Sequence, residues 1–481
     1  GERLPGSWRK TYFGWPGLGH QKPDPAVRGI DDLVHLPVID KSMILLQPPI
    51  PVFATALSAK LFGGGEIALR LPSAVGAIMA VMVVFRTATE LVGGAAAWPS
   101  IAFLVCLPYF RFMAVDTRPY PLALCAASAA LLFLGRAVRT GEARPVYLLA
   151  LSLAAAVHVH LLFVYFLAVA ALAALLFVHG PEWRTWVRAA ALTLALIAPL
   201  RPYYRRMFSW SSGMSWMAAP TFESLFQTLV PVFPLAFFFV GTAVGIVISR
   251  DATIDTSGLR GRGFAIAAAA LIVPVGLLYV ISMLSDTKLF LHRYLTPAIP
   301  GLCMTWGALI AGLRPARISS SAVIVALLVV GGEGLYNVNW EHNNEDWRGA
   351  LRRARDLGKE GTPGLAVYSG FIESRSLAML RKKSQRAQIL SPLAAYPVGI
   401  DPVVAMPYDV GADATTHWDS TLRNELGAVT NLIVVLRGSH SSPEWEQRLM
   451  QTLPGSGFRQ TRREEYGTPK GVVVLQFLRQ R

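Results

Sequence analysis

What most constrains this chain is a succession of apolar runs of membrane length. They fall at about residues 70–90, 95–113, 119–138, 146–178, 189–200, 223–249, 263–284, 295–313 and 318–335. About 20 apolar residues in a helix cross the ~30 Å hydrocarbon core. The run at 146–178 is too long for one crossing, and a split at Val157-His158-Val159-His160 gives about ten crossings, two of them short. Short or broken helices are tolerated where they line a cavity. With 53% hydrophobic and only 16% charged residues, the chain is too apolar for a soluble protein of ordinary composition. The expected fold class is a polytopic α-helical membrane protein with a C-terminal soluble α/β domain.

The two ends of the chain read differently from its middle. Residues 1–33 are polar, rich in Pro and Gly, and lack a run of signal or spanning length, so a first membrane helix is expected upstream of Gly1. The stretch 48–62, bounded by prolines and by Gly63-Gly64-Gly65, fits an interfacial helix better than a crossing. After about residue 336, NEDWRGALRRARDLGKEG has the spacing of an amphipathic helix, and GLAVYS, VVAMPY, NLIVVL and GVVVLQFL are short β-branched runs that read as strands between polar helical stretches. The expected division is a first extracytoplasmic loop with its interfacial helix (1–69), a transmembrane domain (70–335) and an extracytoplasmic α/β domain (336–481). No glycine-rich phosphate loop follows any of the strands, so no nucleotide site is expected.

The net charge of +15 invites a nucleic-acid reading, but the basic residues sit in short loops between apolar runs rather than in one patch with interleaved aromatics. Anionic lipid is the better partner, and nucleic acid is not expected. Cys106, Cys125 and Cys303 lie in apolar segments without metal-type spacing and read as small core residues. Counting alternate loops places Arg86, Arg136, Arg139, Arg144, Arg184, Arg188, Arg250, Arg260, Arg262, Arg314 and Arg317 on one side. Arg70, Arg111, Arg118, Arg201, Arg205, Arg206, Lys288 and Arg293 fall on the other. The positive-inside rule favours the first set as cytoplasmic by a small margin. The second set then forms a basic lining on the outward face, which suggests an anionic ligand there.

Isolated charges at the ends of apolar runs need a reason, because each costs roughly 2.5–3.5 kcal/mol at a helix centre. Asp116 and Arg118, in Ala114-Val115-Asp116-Thr117-Arg118-Pro119-Tyr120, are the first candidates. One reading is an interfacial turn in which Arg118 pairs with Asp116, Pro119 opens the next helix and Tyr120 is a belt aromatic. The functional reading is a carboxylate that orients or deprotonates an acceptor, with Arg118 holding it ionised. Arg201, Arg205 and Arg206 in one loop, and Lys288, His292 and Arg293 in another, are snorkelling anchors taken singly; together, on one face near a carboxylate, they suit a phosphate. His158 and His160, two residues apart, point to different faces of a helix, which argues for a break facing a polar cavity rather than for a two-histidine metal site. Asp24, Asp31 and Asp32 precede Gln47-Pro48-Pro49 and include a candidate base.

With these motifs in place, the block from Gln47 to about Arg139 resembles the GT-C superfamily of membrane glycosyltransferases, in particular the protein-mannosyltransferase and aminoarabinose-transferase group. The resemblance is carried by Gln47-Pro48-Pro49-Ile50, Ala68-Leu69-Arg70-Leu71-Pro72-Ser73, Asp116-Thr117-Arg118-Pro119-Tyr120 and, later, His292-Arg293-Tyr294-Leu295-Thr296-Pro297. It implies an inverting transfer of a sugar from a polyprenyl-phosphate donor to a lipid, glycan or protein acceptor on the extracytoplasmic face of a bacterial inner membrane. A first-loop carboxylate would be the base and Asp116 a second acidic site. Arg118, Arg201, Arg205, Arg206, Lys288, His292, Arg293, Gln47, Tyr120 and His160 would line the lipid-phosphate and substrate site. No cofactor is required by this reading, and a divalent metal stays open. The sequence departs from the family at two points: the first-loop Asp-Glu pair is missing, leaving Asp31, Asp32 or Asp24 as its nearest substitutes or a base upstream of residue 1 as the alternative, and Gln47 stands where relatives carry His or Lys. A transporter or flippase of polyprenyl-linked glycans is the rival reading, although no internal repeat supports it; a non-catalytic membrane scaffold is another.

Overall fold

The computed structural model describes residues 49–63, 66–116, 118, 120–178, 182–209, 219–285, 288–337, 346–368, 390, 392–393, 396–407, 412–437, 442–467 and 471–480. Asp24, Asp31, Asp32 and Gln47 lie outside the described residues, as does the expected loop before residue 49. Two compact units divide at Leu335/Tyr336, the first running from Leu45.

The first unit is helical. Helices α1 (Pro49–Phe62), α2 (Glu66–Leu91), α3 (Gly94–Cys106), α4 (Pro108–Val115), α5 (Tyr120–Thr140), α6 (Ala143–Val159) and α7 (Phe166–Phe177) are followed by α8 (Trp183–Ile197), α9 (Arg201–Ser209), α10 (Phe222–Leu229), α11 (Val232–Ser249), α12 (Arg262–Leu284), α13 (Ile299–Ala311) and α14 (Ala316–Asn337). Among the described residues, six segments are long and apolar enough to cross a membrane, or seven if the bent pair α3–α4 is one crossing. This multi-pass architecture holds fewer full-length spans than the ten counted from sequence. The difference lies in α6 and α7, which are apolar but short, at Ala143–Val159 and Phe166–Phe177, and in α8, which runs only over Trp183–Ile197.

Local chemistry sets several boundaries. The apolar run at 95–113 bends by 69° between α3 and α4, because Pro108 cannot donate the helical hydrogen bond and disfavours helical backbone at Leu107. The run at 223–249 divides likewise at Val230-Pro231. Helix α1 presents Phe53, Leu57, Leu61 and Phe62 outward, the apolar face that a membrane surface covers. Gly241 and Gly245, one turn apart on α11, let that helix meet α14 closely: a Cβ at Gly241 would stand 2.6 Å from the Ala322 Cα, and one at Gly245 2.7 Å from that of Ile318. Lipid supplies no hydrophobic force between helices, so such small-residue seams carry their association.

The C-terminal unit is a five-stranded mixed sheet. After a short ribbon in the helical unit (β1 Thr253–Ile254, β2 Leu313–Arg314), its strands are β3 (Pro363–Tyr368), β4 (Val403–Ala405), β5 (Asn431–Arg437), β6 (Phe458–Tyr466) and β7 (Val472–Arg479), in the order β4-β3-β5-β7-β6. β3 pairs in parallel with β4 and β5, whereas β7 runs antiparallel to β5 and β6. Helix α15 (Trp347–Leu357) covers one face through Ala350, Leu351 and Ala354, against Leu365, Val367, Ile433 and Val435. Helices α16 (Ala412–Asn424) and α17 (Ser442–Thr452) cover the other through Trp418, Leu422, Trp445 and Leu449. Burial of both faces explains why the strands read as unbroken apolar runs. β6 was not anticipated: FRQTRREEY is charged because it is an edge strand, and charge on an edge blocks pairing with another chain.

Candidate active site

The end of α4, the start of α5, the break after α6 and the turn before α13 meet at one end of the helical unit. Asp116 follows α4, with its N–H donating to the Phe112 carbonyl at 3.2 Å. Its Oδ2 lies 3.1 Å from Arg118 Nε, so the expected pairing forms. Arg118 is half exposed, and its carbonyl accepts a 2.8 Å hydrogen bond from Ser73 Oγ at the start of α2. This bond pins the loop to the Leu-Pro-Ser element that precedes it in the sequence.

His160 sits in the break of the long apolar run, where the backbone leaves helix at φ −152°, ψ 116°, and a 3-10 turn over Leu161–Tyr165 follows. The split placed at His158–His160 is therefore the one the chain makes. His158 is structural, its Nε2 2.9 Å from the Leu196 carbonyl of α8. The His160 ring instead packs 5.0 Å from Tyr120, 5.8 Å from Phe163 and 6.2 Å from Tyr294, centroid to centroid. Its Nδ1 is buried with no hydrogen-bond partner among the described residues.

Arg293 reaches the same cluster from the 3-10 turn His292–Ala298, which Thr296 Oγ1 stabilises by donating to the Arg293 carbonyl at 2.7 Å. Its guanidinium stacks over the Tyr294 ring with Cζ 4.9 Å from the centroid, and its Nε is buried without a partner among the described residues. The rings of Tyr109 and Tyr120 lie 6.2 Å apart, so that Arg118, two residues from Tyr120, and Arg293, stacked on Tyr294, border one aromatic cluster. Two cations from distant segments thus converge on one aromatic floor. Buried polar atoms left unpaired are costly, so a site that keeps two of them fits a polar ligand.

The remaining basic candidates divide. Arg201 and Arg205 are exposed on α9, which is tethered beside the break by Tyr204 Oη donating to the Leu161 carbonyl at 2.9 Å. The Arg206 side chain lies outside the described part of the structure. His292 is exposed. Lys288 is engaged elsewhere, because its Nζ donates to the Ser282 and Ser285 carbonyls at 2.9 and 2.8 Å, capping the C-terminal end of α12. Among the described residues no three His, Cys, Asp or Glu side chains come together as a metal site.

Sequence reasoning missed Tyr109, Tyr294, Ser73 and Glu333. Tyr294 lies within the motif around Arg293, and Tyr109 follows the bending Pro108. Glu333 had the same signal as Asp116, a lone acid in an apolar run. It faces Arg111 on α4, so one member of the expected basic lining is already paired.

Residues 46–203 match the family described as dolichyl-phosphate-mannose-protein mannosyltransferase. No curated protein matches the sequence. The fold is shared with crystal structures of ArnT from Cupriavidus metallidurans. The apo form has a TM-score of 0.55 at 14% identity, covering 90% of this chain and 88% of that one. The form bound to undecaprenyl phosphate has a TM-score of 0.54 at 13% identity and the same coverage. With the family match over residues 46–203, about a third of the chain, this likeness in fold gives the chain a resemblance to the GT-C membrane glycosyltransferases.

Proposed function

We propose that this protein transfers a sugar from a polyprenyl-phosphate donor to an acceptor on the extracytoplasmic face of a bacterial inner membrane, inverting the anomeric centre. The observation that carries the reading is the convergence of Asp116, Arg118, Tyr120, His160 and Arg293 at one end of the helical unit. The site has an acid, two cations and an aromatic surface, which are the parts such a transfer needs. That an ArnT of the same fold binds undecaprenyl phosphate supports the choice of donor.

The acceptor hydroxyl attacks the anomeric carbon from the face opposite the phosphate. Its proton passes to a carboxylate, Asp116 or one of the first-loop residues Asp24, Asp31 and Asp32. The bond from the anomeric carbon to the phosphate oxygen breaks, and the electron pair leaves with polyprenyl phosphate. The leaving group gains negative charge, so fixed cations at Arg293 and Arg118, with Arg201 and Arg205 at the rim, stabilise the transition state more than the ground state. Tyr120, Tyr294 and His160 offer a surface for the sugar ring and the first isoprene units. The C-terminal α/β unit is assigned to the same extracytoplasmic side as a soluble domain, and the shorter helices α6–α8 complete the count of about ten crossings.

The test is to incubate the purified chain with radiolabelled polyprenyl-phosphate sugars and acceptor extracts. Release of free polyprenyl phosphate is expected. Movement of intact donor across vesicles without its consumption would replace this reading with a transporter.

A further inference from the structure

The opposite end of the same helices holds a second charged centre. Along α2, Glu90 is 17 residues from Ser73, or about 25 Å, so this centre is separate from the Asp116 cluster. Three guanidiniums surround the Glu90 carboxylate. Arg86 Nε is 2.8 Å from Oε1; Arg136 is bidentate, with Nε 2.8 Å from Oε2 and Nη2 2.6 Å from Oε1; Arg139 Nη2 is 3.1 Å from Oε2. Arg139 also donates through Nη1 to the Glu90 carbonyl at 3.2 Å.

One carboxylate neutralises one of these cations and leaves two positive charges in excess. The acid is the covered member, at 12% exposure, whereas Arg86 and Arg139 stand 63% and 55% exposed. Two features fix the depth. Trp98, largely exposed, packs its ring 5.2 Å from Phe85 on α2, as aromatics do at the level of lipid headgroups. The cluster also sits at the C-terminal ends of α2 and α5, where these spans stop. Gly263 lies directly against the Leu91 carbonyl, which brings the start of α12, with Arg262, to the same level.

We propose that the Glu90 cluster is a headgroup site for one anionic phospholipid, gripping its phosphodiester. A pair of guanidinium forks held in fixed directions matches phosphate oxygens bidentately, which a compact ammonium does not. Glu90 acts as the organiser: it takes hydrogen bonds from Arg136 and Arg139 and pairs with Arg86 through Nε, holding the two more exposed guanidiniums side by side for the lipid. The site is independent of sugar transfer.

The test compares the full chain in nanodiscs of phosphatidylcholine with and without phosphatidylglycerol, counting retained lipids by native mass spectrometry. One phosphatidylglycerol should be retained in preference to phosphatidylcholine. R86Q/R139Q should lower that preference by about fivefold per guanidinium removed. R86K/R139K, which keeps the charge and serves if the first variant does not fold, should also lose most of it. Full retention by the lysine variant would reduce the centre to general surface charge and overturn the proposal. Displacement of the lipid by soluble inorganic phosphate at equal concentration would overturn it too, since the bound group would then be free phosphate.

Discussion

Arg111 Nη1 on α4 lies 3.0 Å from Glu333 Oε2 on α14, joining two charges 222 positions apart within helices of otherwise apolar character. Both side chains are about four-fifths covered. Either charge alone would be expensive at that depth; together they fasten the half-helix that ends at Asp116 to the last span. The 69° bend at Pro108 frees α4 from the line of α3, and the ion pair is one of the contacts that fix its new direction.

Glu333→Ala should therefore destabilise the helical unit by about 1–3 kcal/mol, as loss of a partly buried charged partner does. Thermal unfolding in detergent reads this. The exchanged pair Arg111→Glu with Glu333→Arg should recover most of the loss, and no recovery would show that the direction of the pair matters beyond its charge.

Asp116→Asn should remove the carboxylate while keeping shape and insertion. Transfer should fall about 10²–10⁴-fold, the range for loss of a positioned acid–base group. Single-turnover assays with unchanged membrane yield measure this; undiminished transfer would take Asp116 out of the mechanism.

On the proposed mechanism, in which the Arg293 guanidinium meets the leaving phosphate, Arg293→Ala should weaken the donor chiefly. A loss of about 2–3 kcal/mol, or about 30–150-fold in kcat/KM, is the expected size for a charged hydrogen bond. Arg201→Ala, on the exposed helix α9, should cost less. Equal donor affinity in wild type and both variants, by equilibrium binding of polyprenyl phosphate, would remove the phosphate assignment.

In the C-terminal unit, Arg353 holds the Glu464 carboxyl below its ordinary range, chiefly by direct hydrogen bonds, with a further contribution from the Tyr466 hydroxyl. Because the folded pKa is lowered, the stabilisation is present above the unfolded value and is lost as pH falls through the folded one. Arg353→Met should cost about 0.5–1 kcal/mol at neutral pH, reduced by the pair's one-third exposure. It should also flatten the acid-side decline in stability. Hydrogen exchange of β6 amides in the full chain at several pH values checks this; parallel curves for variant and wild type would exclude the pair as a source of the decline.

The legible parts of the site were those where chemistry conflicts with the local solvent. Asp116, Arg118 and His160 stood out as polar groups interrupting apolar runs, and the break at His160 followed from the length of its run. Glu333 carried the same signal, but nothing in its neighbourhood identified Arg111 as the partner. Lys288 was read with His292 and Arg293 as one basic cluster, and its hydrogen bonds to the Ser282 and Ser285 carbonyls had no signal in the sequence. The edge strand β6 was hidden because its charge, which protects the edge, is also what makes a segment read as solvent-exposed.

The sequence by itself determined the solvent of each segment: hydropathy over about 20 residues is a local sum, and so are the proline bends and the apolar strands buried on both faces. Only the tertiary structure decided which charges meet. Asp116 with Arg118 is a neighbour pair that sequence could offer, but Arg111 with Glu333 and Glu90 with Arg136 are chosen by helix packing. The reason is physical: burial cost is paid residue by residue, whereas the attraction that offsets it depends on separations of about 3–4 Å that only the folded chain creates.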